Sequence, residues 1–122
     1  MSQPFVDWRA VPGREVMAGD VVWEAALDHL QVIRAEMRPG ADFPVHSHQQ
    51  EQIIVVLEGV LEFTVGSSTQ LVGNGQVICV PADVLHGGRV HGDGRVVTLE
   101  AFHPPRTDFG HGAPPMDLRS PR

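Results

Sequence analysis

The sequence of 122 residues predicts one all-β domain whose strands close into a barrel. Short runs rich in Val, Ile, Leu and Phe recur along the chain, and thirteen glycines and ten prolines separate them. Such runs at short spacing are typical of sandwiches and barrels. Few segments show the apolar spacing that an amphipathic helix needs. A closed barrel is the simplest arrangement because it leaves no strand edge exposed.

Seven of these runs predict strands. In chain order the predicted strands are 21–26, 29–37, 52–57, 60–65, 69–72, 76–80 and 95–102. Glu58-Gly59 separates two of the runs, and a two-residue connection with Gly is typical of a tight hairpin. Gly66-Ser67-Ser68 and Gly73-Asn74-Gly75 end the next two runs, so we expect a meander of short strands. Residues 6–10 are expected to form a short turn.

We expect three segments along the chain: an N-terminal arm over residues 1–20, the barrel over residues 21–110 and a C-terminal tail over residues 111–122. The tail holds three prolines and no apolar run. The composition, 42% hydrophobic and 20% charged, is that of a packed globule rather than of a disordered chain.

The charge of the chain limits its partners. The net charge is −6 with neutral histidines, and no run of Lys or Arg occurs. We therefore expect neither nucleic acid nor an anionic membrane surface as a partner. A small anionic substrate would have to be held by local positive charge, such as a metal ion or one Arg.

The single cysteine, Cys79, cannot form an intramolecular disulfide, which suits a reducing compartment. The N-terminus lacks the pattern of a signal peptide, and no apolar stretch approaches the ~20 residues of a membrane span. A cytoplasmic protein is therefore expected. Cys79 alternates with Ile78 and Val80, and we expect it to be a small buried hydrophobic residue rather than a nucleophile.

Four side chains predict a metal site. His46 and His48 are two residues apart and Gln52 is four further on, so on an extended chain all three point to one face. His86, which follows Pro81 at a strand end, is the natural fourth ligand. Three imidazoles and one amide oxygen suit one divalent transition metal ion, Ni, Zn, Fe, Mn or Co.

The predicted ligands carry no charge, so the ion would keep its full +2 and attract carboxylate, enolate or hydroxy-keto groups. Octahedral geometry would leave two positions for substrate or water. A closed tetrahedral structural site is the alternative, although Gln is a poor ligand for one. A His-x-His pair on a strand is also often a surface feature.

These residues resemble the first motif of the cupin superfamily, which is Gly, five residues, His-x-His, three or four residues, Glu, six residues and Gly. Here the motif extends from Gly40 through His46 and His48 to Gly59 with every spacing kept. Gln52 stands where the motif has Glu. The neighbouring Glu51 would face outward on a regular strand.

The second cupin motif is Gly, five residues, Pro-x-Gly, two residues, His, three residues and Asn. Here it extends from Gly75 through Pro81 to His86, with Asp83 in place of Gly and Val90 in place of Asn. Asp is tolerated there if it takes the turn conformation. The resemblance covers about residues 20–103 and implies a double-stranded β-helix, or jelly-roll barrel.

Residues 100–109 also resemble the Asp-x-Phe-x-Pro-x-Arg-x-Asp end of the KdgF-type cupins. Those proteins convert 4,5-unsaturated uronates, released from pectin and alginate, into open-chain keto sugars. In that family three His and one Gln hold the metal, and a carboxylate and an Arg act on the sugar. The resemblance implies Glu100 and Arg106 as catalytic residues here, with Glu100 one methylene longer than the family Asp.

In this interpretation the planar fork of Arg106 binds a carboxylate. Glu100 shares one strand face with Val96, Thr98 and Phe102, and if that face points inward Glu100 moves a proton as an enol becomes a ketone. The simpler alternatives are a solvated edge-strand carboxylate for Glu100 and a surface pair with Asp108 for Arg106. Small cupins often pair by exchanging N-terminal strands, so we expect a homodimer with Trp8 and Trp23 at its interface.

Three classes of function stay open. The first is an isomerase or lyase-like enzyme on unsaturated sugar acids. The second is another metal-dependent cupin enzyme, a polyketide cyclase or a dioxygenase. The third is a non-enzymatic module that binds a small metabolite. A hydrophobic cavity would favour the cyclase and a polar cavity the sugar acid.

Overall fold

The structure is a computed structural model, and it describes residues 4–108. Within this range a short 3-10 helix, Trp8–Ala10, precedes ten β-strands. The strands are β1 (Arg14–Met17), β2 (Asp20–Ala26), β3 (Gln31–Met37), β4 (Asp42–His46), β5 (Glu51–Glu58), β6 (Leu61–Val65), β7 (Ser68–Val72), β8 (Val77–Val80), β9 (His86–Val90) and β10 (Val96–His103).

The strands form two antiparallel sheets. The larger sheet has the order β1-β2-β3-β10-β5-β8 and the smaller one the order β4-β9-β6-β7. Buried side chains of both sheets, such as Ile33 and Ile54 from the larger and Leu61 and Phe63 from the smaller, form one hydrophobic core. The predicted all-β fold, a double-stranded β-helix of the jelly-roll type, is confirmed.

Strand β10 is a central strand of the larger sheet. It pairs with β3 on one side and β5 on the other, and its buried residues include Val96, Thr98, Glu100 and Phe102. Successive side chains of a strand point to opposite faces, so these four residues share the inner face. Glu100 therefore does not belong to an edge strand.

The predicted meander is wrong. Strands β5 and β6 belong to different sheets, so the connection at Gly59 crosses between the sheets and is not a hairpin. Gly59 has φ +80°, and a side chain there would begin 2.3 Å from the carbonyl oxygen of Arg95. The hairpin at Gly66 does form, because Val65 pairs with Ser68. A short Gly connection fixes a reversal of direction but not which strand becomes the partner.

Three strands were not predicted. Strand β1 lies inside the segment expected to be an arm, pairs with β2 and places Val16 in the core, so the sheet begins at residue 14. Strand β4 contains Pro44, and β9 begins His86-Gly87-Gly88. Gly87 lies so close to β4 that an added Cβ would be 2.7 Å from the carbonyl oxygen of Phe43. Close backbone approach, rather than strand propensity, explains that glycine.

Trp8 and Trp23 contact their own chain. The indole nitrogen of Trp8 donates to the carbonyl oxygen of Glu24, and that of Trp23 donates to the carbonyl oxygen of Val11, each at 3.2 Å. These bonds tie the N-terminal segment to β2. The homodimer stays a prediction, and the predicted tail, residues 111–122, lies outside the described residues.

The prediction that Cys79 is buried is wrong. Strand β8 is at the edge of the larger sheet, with Ile78 and Val80 facing inward and Cys79 exposed on the opposite face. Across residues 4–108 no helix has the length and apolar character needed to cross a bilayer.

Candidate metal centre and cavity

The structure brings the four predicted metal ligands together. His46 ends β4 and faces His86 at the start of β9, while Gln52 lies on β5 in the other sheet. The candidate ligand atoms of the three histidines lie within 4.8 Å of one another. The predicted reason was partly wrong: β4 ends at His46, so a loop rather than one continuous strand carries His48 to the site.

The second motif holds that loop in place. The backbone N–H of Asp83 donates to the carbonyl oxygen of His48 at 2.8 Å. Asp83 has φ +65°, the left-handed conformation expected for the position where the cupin motif has Gly. The departure at Asp83 is therefore accommodated by the turn conformation, as predicted.

The hydrogen bonds of the imidazoles fix their protonation. Each ring has its Nδ1 atom 2.8–3.0 Å from the carbonyl oxygen of a residue two positions away. The three carbonyls belong to Pro44, Gln50 and Val84. A carbonyl oxygen accepts and cannot donate, so each Nδ1 carries the proton and each Nε2 of a neutral ring presents a lone pair.

These lone pairs meet without a proton between them. The Nε2 atom of His48 is 3.1 Å from the Nε2 atom of His86 and 3.1 Å from Oε1 of Gln52. Acceptors facing one another at hydrogen-bond distance repel unless a cation lies among them. The donor set therefore fits a divalent transition metal ion, and hydrogen bonds from Nδ1 to carbonyls are the usual way in which metal-binding imidazoles are oriented.

The histidines are also in the charge state that binds metal. Burial, together with the charges of Arg106 and the other imidazoles, lowers the pKa of His48 to about 4. Burial likewise lowers the pKa of His86. Both rings are neutral near pH 7, so no proton competes with a metal ion there.

Glu100 explains why residue 52 is Gln. The side-chain amide of Gln52 donates from Nε2 to Oε1 of Glu100 at 2.8 Å, and the hydroxyl of Thr98 donates to Oε2 at 2.7 Å. These bonds orient the amide so that its oxygen faces His48. A Glu at position 52 would place two carboxylates in contact, whereas Gln supplies an oxygen to the metal side and a donor to Glu100.

The carboxyl group of Glu100 is 6% exposed. Burial raises its pKa, and hydrogen bonds from Thr98 and Gln52 and the charge of Arg106 act in the opposite direction. The prediction that Glu100 faces inward, rather than being a solvated edge carboxylate, agrees with this placement.

Arg106 pairs with Asp108, but the pair is not on the surface. The guanidinium Nε and one terminal nitrogen contact the two carboxylate oxygens at 3.1 and 2.7 Å, and Arg106 is 4% exposed. Its Cζ atom lies 5.7 Å from the ring centre of Phe102. The alternative of a surface pair is therefore wrong, and Arg106 contributes to the cavity wall.

Sequence reasoning missed Gln31, which holds the backbone of Arg106. The side-chain oxygen of Gln31 accepts from the N–H of Arg106, and its amide donates to the carbonyl oxygen of Arg106, both at 2.9 Å. The same amide also contacts the carboxylate of Glu24. Gln31 shares parity with the buried Ile33 and Ala35, so a polar residue at an inward position was the available signal.

A cavity lies beside the histidine cluster between the two sheets. Its volume is about 50 Å³. The polar part of the wall includes His46, His86, Gln52, Glu100 and Arg106. Asp20, a further residue that sequence reasoning missed, is also there. The apolar part of the wall consists of Ile33, Met37, Phe43, Ile54, Leu61 and Phe63.

The two facing sheets enclose three histidines that could hold a metal ion. The Cupin domain family matches residues 33–102, more than half of the chain, and the protein therefore belongs to the cupin family. No curated protein sequence matches the chain.

Solved structures show the same fold. An RmlC-like cupin from Shewanella frigidimarina superimposes with a TM-score of 0.82 at 23% identity, over 89% of this chain and 97% of that one. KdgF from a Halomonas species superimposes with a TM-score of 0.79 at 21% identity, over 88% of this chain and 98% of that one. An oxalate oxidase bound to the substrate analogue glycolate superimposes with a TM-score of 0.67 at 20% identity, over 82% of this chain and 59% of that one. At these identities the likeness shows the fold alone.

Proposed function

We propose that the protein is a metal-dependent cupin enzyme that converts 4,5-unsaturated uronates into linear keto sugars by ring opening and tautomerisation. His46, His48, Gln52 and His86 would hold one divalent ion, which is Ni, Zn, Fe, Mn or Co. The observation that carries the proposal is the carboxyl group of Glu100, buried in the cavity wall and hydrogen-bonded to Gln52.

The reaction rearranges protons without oxidation or reduction. The hemiacetal hydroxyl loses a proton, the bond between carbon 1 and the ring oxygen breaks, and carbon 4 gains a proton as the enol becomes a ketone. A bound divalent ion would supply Lewis-acid stabilisation of negative charge on oxygen. The protein has to supply a group that takes a proton and returns it.

Glu100 suits that task. It is shielded from solvent, both of its oxygens are positioned by donors, and burial raises its pKa, which is the direction that suits a group that takes up and returns a proton. Arg106 lies in the same wall, held by Asp108 and Gln31, and its guanidinium offers N–H donors for an anionic substrate.

The resemblance of residues 100–109 to the KdgF-type cupins supports the same substrate. The distinguishing feature of that resemblance is the combination of a carboxylate and an Arg behind a Gln-containing metal site. Here Glu100, Arg106 and Gln52 all contribute to the wall of one cavity.

The direct test follows the ultraviolet absorbance of an unsaturated uronate. Metal-loaded protein should accelerate the loss of absorbance above the rate measured without protein, and chelation should remove the acceleration. Glu51→Gln is the matched control for Glu100→Gln, because Glu51 lies on the outer face of β5. If metal-loaded protein does not exceed the background rate, this activity is ruled out.

Three alternatives predict different readouts. The apolar walls formed by residues such as Ile33, Leu61 and Phe63 favour a cyclase-like enzyme, which would act on a polyketide mimic and not on the uronate. A dioxygenase would consume oxygen, which an oxygen electrode measures. A non-enzymatic module would bind a small acid and turn over neither substrate.

A further inference from the structure

Asp20 places a second carboxyl group in the cavity. It opens β2 directly after the Ala18-Gly19 turn, where Gly19 has φ +82°. Asp20 shares the inner face of β2 with Val22 and is 7% exposed. Its side chain contributes to the wall of the cavity that also contains Gln52.

The Oδ1 atom of Asp20 has no hydrogen-bond partner within residues 4–108. Two buried side-chain oxygens in this range are left in that way, Asp20 Oδ1 and Gln50 Oε1, and of these two residues Asp20 contributes to the cavity wall. A buried oxygen without a hydrogen-bond partner is unfavourable, and native proteins seldom leave one. The described residues donate no hydrogen bond to this oxygen, whereas a ligand in the cavity would be able to donate one.

The charged surroundings add to the cost of this group. Burial raises the pKa of Asp20 well above its ordinary value, and the nearby carboxyl groups of Glu100 and Glu15 raise it further. Three carboxyl groups near one another do not stabilise a fold. Asp20 is therefore poorly explained as a structural residue.

The strand register separates Asp20 from Gln52 along the larger sheet. Asp20 pairs with Met37, and Met37 pairs with Val96 at the start of β10. Gln52 pairs with Phe102 near the end of β10. The cavity therefore has the metal ligand Gln52 toward one end and Asp20 toward the other.

Apolar side chains lie between the two ends. Ile33 and Ile54 flank Glu100 in the middle of the sheet, one from each neighbouring strand, and both contribute to the cavity wall. A ligand that contacts both ends needs polar groups at two places and a carbon framework between them. A carboxylic acid with a hydroxyl group several bonds away has this form.

We propose that Asp20 is a substrate-binding, specificity-determining residue that forms a hydrogen bond with a hydroxyl group of a polyhydroxylated carboxylic acid whose other end lies at the metal centre. The identification of that acid as a uronate rests on the proposed function. The role of Asp20 toward a distant hydroxyl group rests on its place in the cavity and on its unpartnered oxygen.

The test compares two acids on metal-loaded protein by calorimetry. D-galacturonate carries hydroxyl groups along its ring, whereas glycolate has a single hydroxyl group next to its carboxyl group. Asp20→Ala should weaken galacturonate binding about tenfold, the value of one hydrogen bond, and leave glycolate binding unchanged. Asp20→Asn, which keeps an acceptor, should recover part of the loss, and the exposed Asp93→Asn is the control.

Stability separates a binding role from a structural one. Both Asp20 variants should keep their metal content and unfold at the same temperature as the wild type or above it, because they remove a poorly satisfied buried carboxyl group. A variant that fails to fold, loses metal or unfolds at a lower temperature would assign Asp20 a structural role and overturn the inference. Equal loss of affinity for both acids would also overturn it.

The outcomes for the two proposals are distinguishable. Asp20-dependent binding of galacturonate without turnover of the unsaturated uronate would reject the proposed reaction and keep the role of Asp20. Turnover of the unsaturated uronate with an unchanged KM in Asp20→Ala would keep the proposed reaction and reject the role of Asp20. If the wild type neither binds galacturonate nor turns over the uronate, both fail.

Discussion

Glu100 and Asp20 are buried carboxyl groups in the wall of one cavity, yet their surroundings differ. Both oxygens of Glu100 accept hydrogen bonds from the chain, one from Gln52 and one from Thr98. Asp20 has an oxygen with no partner within the described residues. The comparison teaches that a preorganised group and a ligand-dependent group can share one cavity. In the proposed function the first is held for proton transfer, and in the proposed role of Asp20 the second is satisfied when a ligand binds.

The largest effect is expected from Glu100→Gln. Removing the proton-carrying group should lower kcat about 10²–10⁴-fold, while metal content stays near that of the wild type because the four ligands remain. The absorbance assay and elemental analysis measure both, with Glu51→Gln as the control for a lost charge. Activity within twofold of the wild type would remove Glu100 from the mechanism.

Gln52→Glu tests why the amide is needed. The change puts two carboxyl groups at the distance of the present 2.8 Å hydrogen bond, and each raises the pKa of the other. The acidic limb of the pH profile of kcat should move to higher pH, and kcat near neutral pH should fall about tenfold for each pKa unit of the shift. An unchanged profile would mean that residue 52 does not influence Glu100.

Gln31→Ala tests the support of Arg106. Two buried hydrogen bonds to the backbone of Arg106 are lost, so KM should rise by about tenfold or less with a smaller change in kcat, and stability should fall by about 1–3 kcal/mol. Gln70→Ala on the exposed face of β7 is the control. Loss of stability without any change in KM would make Gln31 a purely structural residue.

In metal-free protein, the buried histidines and the buried carboxyl groups should change the free energy of unfolding with pH in opposite directions. Folding lowers the pKa of His48 to about 4. Its contribution to the stability of the fold is therefore present above its ordinary pKa of 6.5 and is lost as pH falls toward 4. Folding raises the pKa of Asp20, so its contribution is present at low pH and is lost as pH rises through the raised value. Thermal unfolding from pH 4 to 8 measures both.

Asp20→Asn separates these contributions. The variant should gain stability over the wild type as pH rises and should keep the loss at low pH, because the histidines are unchanged. If the unfolding temperature of the variant parallels that of the wild type at every pH, Asp20 does not cause the loss of stability that accompanies rising pH.

The smallest effect is expected from Asp83→Gly. Asp83 takes a left-handed conformation with φ +65°, which costs a residue with a Cβ about 1–2 kcal/mol. Gly avoids that cost but loses more conformational freedom on folding, so the net gain should be about 0.5–1 kcal/mol. Denaturant unfolding measures it, and a decrease in stability would show that the Asp83 side chain contributes more than its backbone strain costs.

The sequence allowed the inner face of β10 and the histidine cluster to be predicted for physical reasons. The period of two along a strand placed Thr98, Glu100 and Phe102 on one face, which the structure shows. The motif spacings brought His46 and His86 opposite each other. Both depend on short-range geometry, which a sequence carries directly.

What could not be predicted depends on contacts between distant segments. Strand β9 begins His86-Gly87-Gly88, and its glycines are explained by the approach of β4 and β6. The pairing of β5 with β8 and β10 rather than with β6 depends on the whole sheet. Asp20 was missed because the predicted strand began one residue later, which left the inward carboxyl group in the segment expected to be an N-terminal arm.

The central claim is that three Nε2 lone pairs and one amide oxygen converge on a place for a single cation. Elemental analysis of purified protein, with calorimetric titration of Ni²⁺ and Zn²⁺ into chelator-treated protein, tests it most directly. We expect one ion for each chain, and no uptake when residues 46, 48 and 86 are all replaced by alanine. Wild-type protein that takes up no ion, or a triple variant that still binds one, would contradict the account.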